Sequence, residues 1–210
     1  MRILKLKSIA LMLVAVVGIS CGSKTDKKPL QDETLSSFML GGIYFTNGYG
    51  GIAEVNSMLS DYNTDEDIVA GYKELYEFPF ETTDKSGAQR MLRSMWDITN
   101  KSSLLESITD LQTRDYKYKS WDYARIINNA CMGYASGYLN KEEVKEIGAK
   151  TLELARQKYT SWEAYYTDFN LGREDWNPED NDKIAFEELS KNIFKAEKSV
   201  YKILPLQLKK

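Results

Sequence analysis

The amino-acid sequence predicts an all-α protein, a compact single domain of about seven or eight helices. Apolar residues recur at intervals of three and four along most of the chain, which is the spacing of one helix face. No stretch alternates apolar and polar residues for long enough to predict a strand. Several periodic segments also begin with a capping residue that is followed three positions later by an acid.

The first half of the predicted domain contains four such segments. The first ends at the glycine-rich stretch 47–51, and the second begins at Thr64, which forms a capping box with Asp67. Pro79 interrupts the chain after the second segment. The four helices are expected at 34–46, from Thr64 to Leu75, at 84–98 and at 101–112.

The second half contains a long central helix and three more. Asn140 with Glu143 begins the first of the three, and Thr160 with Glu163 begins the second. Pro205 ends the last. The expected ranges are 120–137, from Asn140 to about Ala155, from Thr160 to about Gly172, and 182–203. The central helix carries one apolar stripe, formed by Trp121, Ala124, Ile127, Cys131 and Tyr134.

The N-terminus resembles the signal peptide of a bacterial lipoprotein. Three basic residues precede an uninterrupted apolar run at 9–19, which is too short to cross a bilayer but is typical of a secretory signal. Ser20 directly before Cys21 resembles a lipobox, in which the cysteine becomes acylated after cleavage. An ordinary secretory signal with a chance cysteine is the alternative.

This resemblance divides the chain into three parts. We expect a signal peptide at 1–20, an acylated Cys21 with a polar tether at 21–33, and the all-α domain at 34–210. The protein would then be anchored by lipid in the bacterial cell envelope, on the periplasmic or the outer-membrane face, with the membrane as one of its partners.

The composition excludes several classes of function. Without the three basic residues of the signal, 25 basic and 31 acidic residues give a net charge of −6, so we expect no nucleic-acid partner. The sequence contains no histidine, which excludes Ser-His-Asp and Cys-His nucleophilic sites and imidazole zinc ligands. We expect neither a metal nor a cofactor.

The stretches SWDYAR (120–125) and SWEAYY (161–166) both begin with a serine, a tryptophan and an acid. We interpret this echo as a way of starting a helix while placing a large aromatic in the core, with Ser120 and Ser161 as capping residues. Beyond the acid the two stretches diverge, so a duplicated unit is not indicated.

The echo belongs to a longer pattern that resembles the uncharacterised bacterial family DUF1266. The pattern runs through Trp-Asp-x-x-Arg, Gly-Tyr, Ser-Trp and Leu-Gly-x-x-x-Trp, and its strong part covers about residues 90–176. The family brings no established activity, so the resemblance supports the fold more than the function. The matching positions are Trp121, Asp122, Arg125, Gly137, Tyr138, Ser161, Trp162, Leu171, Gly172 and Trp176.

Asp122 and Arg125 form the sharpest polar feature, three residues apart on one face of the central helix, with Asn129 on the same face. Arg125 could hold a carboxylate or phosphate ligand in a cleft. We favour the other interpretation, in which the pair is an internal brace between the helix and its neighbouring loops.

Two functions remain open. The first is a non-enzymatic binding or interaction module with a protein partner, such as an inhibitor-like or immunity-like protein. The second is a carboxylate-dependent hydrolase of cell-wall or glycan material, which needs only two acids. The candidate acids are Asp97, Glu163, Glu174 and Asp175.

Overall fold

A computed structural model describes residues 30–179 and 182–208, and these residues form helices and loops without strands. The all-α prediction is therefore confirmed over them, although the number of helices is eleven rather than seven or eight. A short 3-10 turn at Thr82–Asp84 precedes the fifth helix. The helices are α1 (Glu33–Met39), α2 (Gly42–Gly48), α3 (Ile52–Met58), α4 (Asp65–Tyr76), α5 (Lys85–Trp96), α6 (Lys101–Thr113), α7 (Lys119–Ala135), α8 (Lys141–Lys158), α9 (Trp162–Trp176), α10 (Lys183–Lys195) and α11 (Val200–Ile203).

Helix α7 is the centre of the domain. Of its 17 residues 14 are buried, and it packs against α2, α5, α6, α8 and α9. The sequence predicts a single apolar stripe on this helix, but the helix is enclosed on nearly all sides. As a result Asp122 and Asn129, which the sequence places on a polar face, are both fully buried.

The predicted helix 34–46 is two helices, α1 and α2, with a turn at Leu40 and Gly41. The turn brings this backbone very close to its neighbours, since a Cβ on Gly42 would lie 2.1 Å from the Tyr201 hydroxyl. The break frees the carbonyls of Met39 and Leu40, which accept hydrogen bonds from tyrosine hydroxyls of α9 and α11.

Two further differences account for the higher number of helices. The stretch after the glycine-rich turn forms α3, which the sequence does not predict. The predicted helix 182–203 is divided into α10 and α11, because the chain leaves the helical conformation at Ala196. In the connection Lys198 Nζ donates to the carbonyls of Leu59 and Ser60, 2.7 and 2.6 Å away, and so holds the end of α3.

The predicted signal peptide and Cys21 lie outside the described residues. The start of the first helix falls slightly earlier than the predicted domain boundary at 34, because Asp32 accepts a hydrogen bond from Leu35 N at 2.9 Å and caps α1. Among the helices of the described residues, none combines the length and the apolar character needed to span a bilayer.

Candidate functional site

The buried carboxylate of Asp122 is the centre of a charged cluster at the start of α7. Arg114 donates from Nε to Oδ2 at 3.0 Å and from Nη2 to Oδ1. Lys119 Nζ lies 3.1 Å from Oδ2, and Arg125 Nη2 donates to Oδ1. We call these four residues the Asp122 cluster. The sequence predicts the Asp122–Arg125 contact but not the other two cations.

Lys119 connects this cluster to the preceding helix. Its side chain is buried, and its ammonium donates to the carbonyls of Leu111 at 2.7 Å and of Arg114 at 3.2 Å. The last carbonyls of a helix have no partner within it, so a buried ammonium there stabilises the end of α6. The Asp122 cluster therefore ties the end of α6, the connector 114–118 and the start of α7 together.

Aromatic rings enclose the Arg125 side of the cluster. The Arg125 guanidinium carbon lies 3.5 Å from the Trp121 ring centroid and 5.5 Å from that of Trp96. The ring of Trp176 packs against Trp121 at a tilt of 45°, with centroids 5.5 Å apart, and Trp176 remains 65% exposed. Burial lowers the pKa of Arg125 from its ordinary value, and the charge of Asp122 opposes this shift.

Close packing between α9 and α7 explains why position 172, one turn before Trp176, is a glycine. A Cβ at this position would lie 2.9 Å from the Cβ atoms of both Trp121 and Tyr118. The absence of a side chain lets α9 approach the start of α7 closely enough for Trp176 to reach Trp121. Four motif positions separated by about fifty residues thus meet in one place: Trp121, Arg125, Gly172 and Trp176.

Ser161 and Trp162 lie at the other end of α9. Ser161 caps this helix by accepting from Ala164 N at 3.2 Å, and the indole of Trp162 donates to the Leu204 carbonyl at 2.8 Å. The predicted pairing of Thr160 with Glu163 is wrong, because Thr160 lies outside the cap and is exposed.

Ser120 does not repeat the role of Ser161. Helix α7 begins one residue earlier, at Lys119, with Tyr118 at its cap and no side-chain capping bond. The hydroxyl of Ser120 instead donates to Asp168 Oδ2 at 2.8 Å, and its backbone N–H donates to the Tyr159 hydroxyl at 2.8 Å. The echo starts two helices near a core tryptophan, but only the second copy is a serine cap.

Asn129 is fully buried two turns beyond Asp122. Neither of its amide atoms has a hydrogen-bond partner among the described residues. Asn129 lies in the same helix as Asp122 and Arg125, within about 60° of both at 100° per residue, but among the described residues no hydrogen bond joins it to either of them.

The four candidate acids do not form one site. Asp97 follows α5 in a left-handed conformation with φ 55°, and Asp175 accepts a hydrogen bond from the Tyr116 hydroxyl at 3.2 Å. Glu163 and Glu174 share one face of α9, but eleven positions on a helix correspond to about 16 Å. Paired glycosidase carboxylates lie about 5–10 Å apart, so Glu163 and Glu174 are too far apart along α9 to form a catalytic pair.

Glu163 and Glu174 line an open groove of about 470 Å³ between α9 and α10. The two helices run antiparallel, joined across the groove floor by the contact of Asn170 Nδ2 with Ser190 Oγ at 2.8 Å. Leu171, 43% exposed, contributes apolar surface. We call this feature the α9–α10 groove. Its charged rim consists of Glu163, Glu174, Glu187, Lys191 and Lys195.

Cys131 and the metal-ligating residue types offer no further site. Cys131 is buried in α7, and burial raises the pKa of its thiol far above the usual range, which makes it unreactive. Within residues 30–179 and 182–208, no group of three cysteine or acidic residues is arranged to hold a metal ion.

The fold and the Asp122 cluster define an all-α protein in which five motif positions meet at the start of one central helix: Trp121, Asp122, Arg125, Gly172 and Trp176. Residues 112–206 match the family described as "Protein of unknown function (DUF1266)", which confirms the resemblance drawn from the motif. The match includes α7–α11 and all four residues of the Asp122 cluster.

The chain is also similar to the uncharacterized protein YbeR of Escherichia coli (strain K12). The two are 33% identical over 64 residues, which are 30% of this chain and 27% of that protein. The chain therefore matches little more than a quarter of this relative's length. No solved structure matches the chain.

Proposed function

We propose that the protein is a lipid-anchored protein of the bacterial cell envelope that binds a protein partner and has no catalytic activity. In this proposal the Asp122 cluster is an internal brace, and the partner binds in the α9–α10 groove. Such a module would act by binding its partner, as an inhibitor or an immunity protein does.

The observation that carries the proposal is the contrast between these two places. The Asp122 carboxylate is 0% exposed, and its hydrogen bonds go to three cations of the same chain. The α9–α10 groove, by comparison, is open and combines an apolar surface at Leu171 with a charged rim. Grooves between two helices commonly receive an amphipathic protein segment, whose apolar side chains enter while its charges meet the rim.

The groove gives less support to the alternative, a carboxylate-dependent hydrolase. Its rim carries acids, but Glu163 and Glu174 are about 16 Å apart along α9, and Glu174 is paired with Lys183 at 2.6 Å. A turnover of peptidoglycan or of chromogenic glycosides that disappears in Glu163→Gln or Glu174→Gln, with unchanged thermal unfolding, would favour the hydrolase instead.

The partner is tested in living cells with a photocrosslinking amino acid at Leu171. The matched control carries the same amino acid at Lys150, an exposed position on α8. We expect one defined protein adduct from position 171, absent from position 150, and loss of that partner in Leu171→Glu. Identical adducts from both positions, or none from position 171, would refute binding in the groove.

The lipid anchor is tested separately by growing cells with an alkyne-tagged fatty acid. We expect the wild-type protein to incorporate the label and Cys21→Ser to lose it. A wild-type protein that stays unlabelled while another lipoprotein in the same cells is labelled would exclude the anchor.

A further inference from the structure

Helix α5 is exposed along most of its length. Only Gly87 and Leu92 are buried among its 12 residues. Its outward side presents Met91 and Met95, which are 49% and 66% exposed. Two large apolar side chains exposed on one flank of a helix provide apolar surface that a partner can cover.

The charge of α5 differs from that of the rest of the protein. The helix contains Lys85, Arg90 and Arg93 and no acid, whereas the whole chain has a net charge of −3. Among the described residues, no acidic side chain forms an ion pair with Arg90 or Arg93. The nearest acids along the chain lie at the helix ends, where Asp84 caps Gly87 N at 2.9 Å and Asp97 follows Trp96.

The arginines and the methionines lie on the two flanks of the exposed side of the helix. At 100° per residue, Arg90 and Arg93 lie about 60° apart, Met91 and Met95 lie about 40° apart, and about 100° separates Arg90 from Met91. Beside Arg90 and Met91 is a groove of about 290 Å³, with Phe80 and Met132 in its wall and Glu81 and Asp84 at its edge. Basic side chains next to exposed apolar ones are typical of helices that lie in a membrane interface.

We propose that the outward face of α5 lies on an anionic lipid surface. This inference rests on the proposed lipid anchor, because acylated Cys21 would keep the domain close to a bilayer. The eleven residues from 22 to 32 can span at most about 39 Å, so the domain would never be far from the lipid headgroups. A weak contact suffices when a tether keeps the local concentration of its target high.

The contact can be measured without the anchor. The chain without residues 1–21, which lacks the predicted signal and Cys21 but keeps every residue that the structure describes, is mixed with vesicles of phosphatidylcholine alone or with 30% phosphatidylglycerol, and the bound fraction is determined by sedimentation. Arg90→Gln/Arg93→Gln removes the two cations, and Lys145→Gln/Lys150→Gln, at two exposed positions of α8, is the matched control. All variants share the same N-terminal segment, so differences between them report α5.

We expect the arginine variant to bind the anionic vesicles at least tenfold more weakly, since each cation near such a surface contributes about fivefold. The control should remain within about twofold of the parent, and Met95→Ser should weaken binding at unchanged charge. Equal losses in both double variants, or no loss in the arginine variant, would overturn the proposal. An arginine variant that no longer binds a protein partner but still binds vesicles as the parent does would also overturn it. The fatty-acid labelling of Cys21 and the adduct formed at position 171 are independent of the vesicle results, so this proposal and the proposed function can fail separately.

Discussion

At the scale of single residues, contacts at the start of α7 explain the part of the motif that contains Trp121, Asp122, Arg125, Gly172 and Trp176. The Trp121 ring contacts both the Arg125 guanidinium and the Trp176 ring, and Gly172 lets α9 approach closely enough for the second contact. Helical spacing is enough to predict that Asp122 and Arg125 meet. It does not predict Arg114, because that contact depends on the path of the connector 114–118, which no periodic pattern determines.

The requirement for glycine at position 172 can be tested with Gly172→Ala. The added methyl would clash with two Cβ atoms that cannot rotate away, so we expect the free energy of unfolding to fall by about 1–3 kcal/mol. Gly48→Ala is the control, because a Cβ there meets nothing within 4 Å. Urea unfolding measures both variants, and equal losses of stability would contradict the packing argument.

At the scale of helices, capping patterns predict where several helices begin. Asn140 and Glu143 form the predicted capping box, with reciprocal bonds of 2.9 Å, and Thr64 accepts from Asp67 N at 3.1 Å. The break between α1 and α2 has no such local signal. It is stabilised by hydroxyls more than one hundred residues away in the sequence, which only the tertiary structure brings to those carbonyls.

Helix α9 provides a direct comparison of two adjacent capping candidates. Because Ser161 Oγ accepts from Ala164 N, we expect Ser161→Ala to lower the free energy of unfolding by about 1 kcal/mol. Thr160→Ala should change it by less than about 0.5 kcal/mol, since Thr160 is exposed. Chemical denaturation distinguishes the two, and a larger effect at Thr160 would restore the cap predicted from the sequence.

The turn between α1 and α2 is stabilised by the hydroxyl of Tyr165. Its fully buried hydroxyl lies 3.0 Å from both the Leu40 and the Ser120 carbonyls, and burial raises its pKa well above the usual range, so it remains a donor. Tyr165→Phe should cost about 1–3 kcal/mol by leaving a buried carbonyl without a partner. The hydroxyl of Tyr62 makes an exposed contact with Glu74 at 3.5 Å, so Tyr62→Phe should leave stability nearly unchanged. Thermal unfolding measures both variants.

At the scale of the whole molecule, the sequence predicts the fold class because helical periodicity continues through most of the chain. It does not predict the partner, because a groove arises from how α9 and α10 pack and leaves no spacing signature of its own. The central position of α7 has a further consequence. Since five helices pack against it, α7 cannot open without disrupting most of the domain.

Cys131, buried within α7, reports on this cooperativity in the Cys21→Ser chain. Its thiol is both inaccessible and held protonated by burial, so we expect a thiol reagent to react only when the whole domain unfolds. The urea dependence of labelling should therefore coincide with that of the helical circular dichroism signal. Rapid labelling below the unfolding transition would show that α7 opens locally.

The most direct test of the central claim is the thermal unfolding of Asp122→Asn. If the Asp122 cluster is a brace, the variant leaves three cations around a neutral amide and should lose about 3 kcal/mol or more. In a domain of this size, that loss corresponds to a fall of about 10 °C in the midpoint. Asp175→Asn, at an exposed position, should stay within about 2 °C of the wild type. An unchanged midpoint in Asp122→Asn, together with loss of the adduct formed at Leu171, would show that the cluster serves recognition.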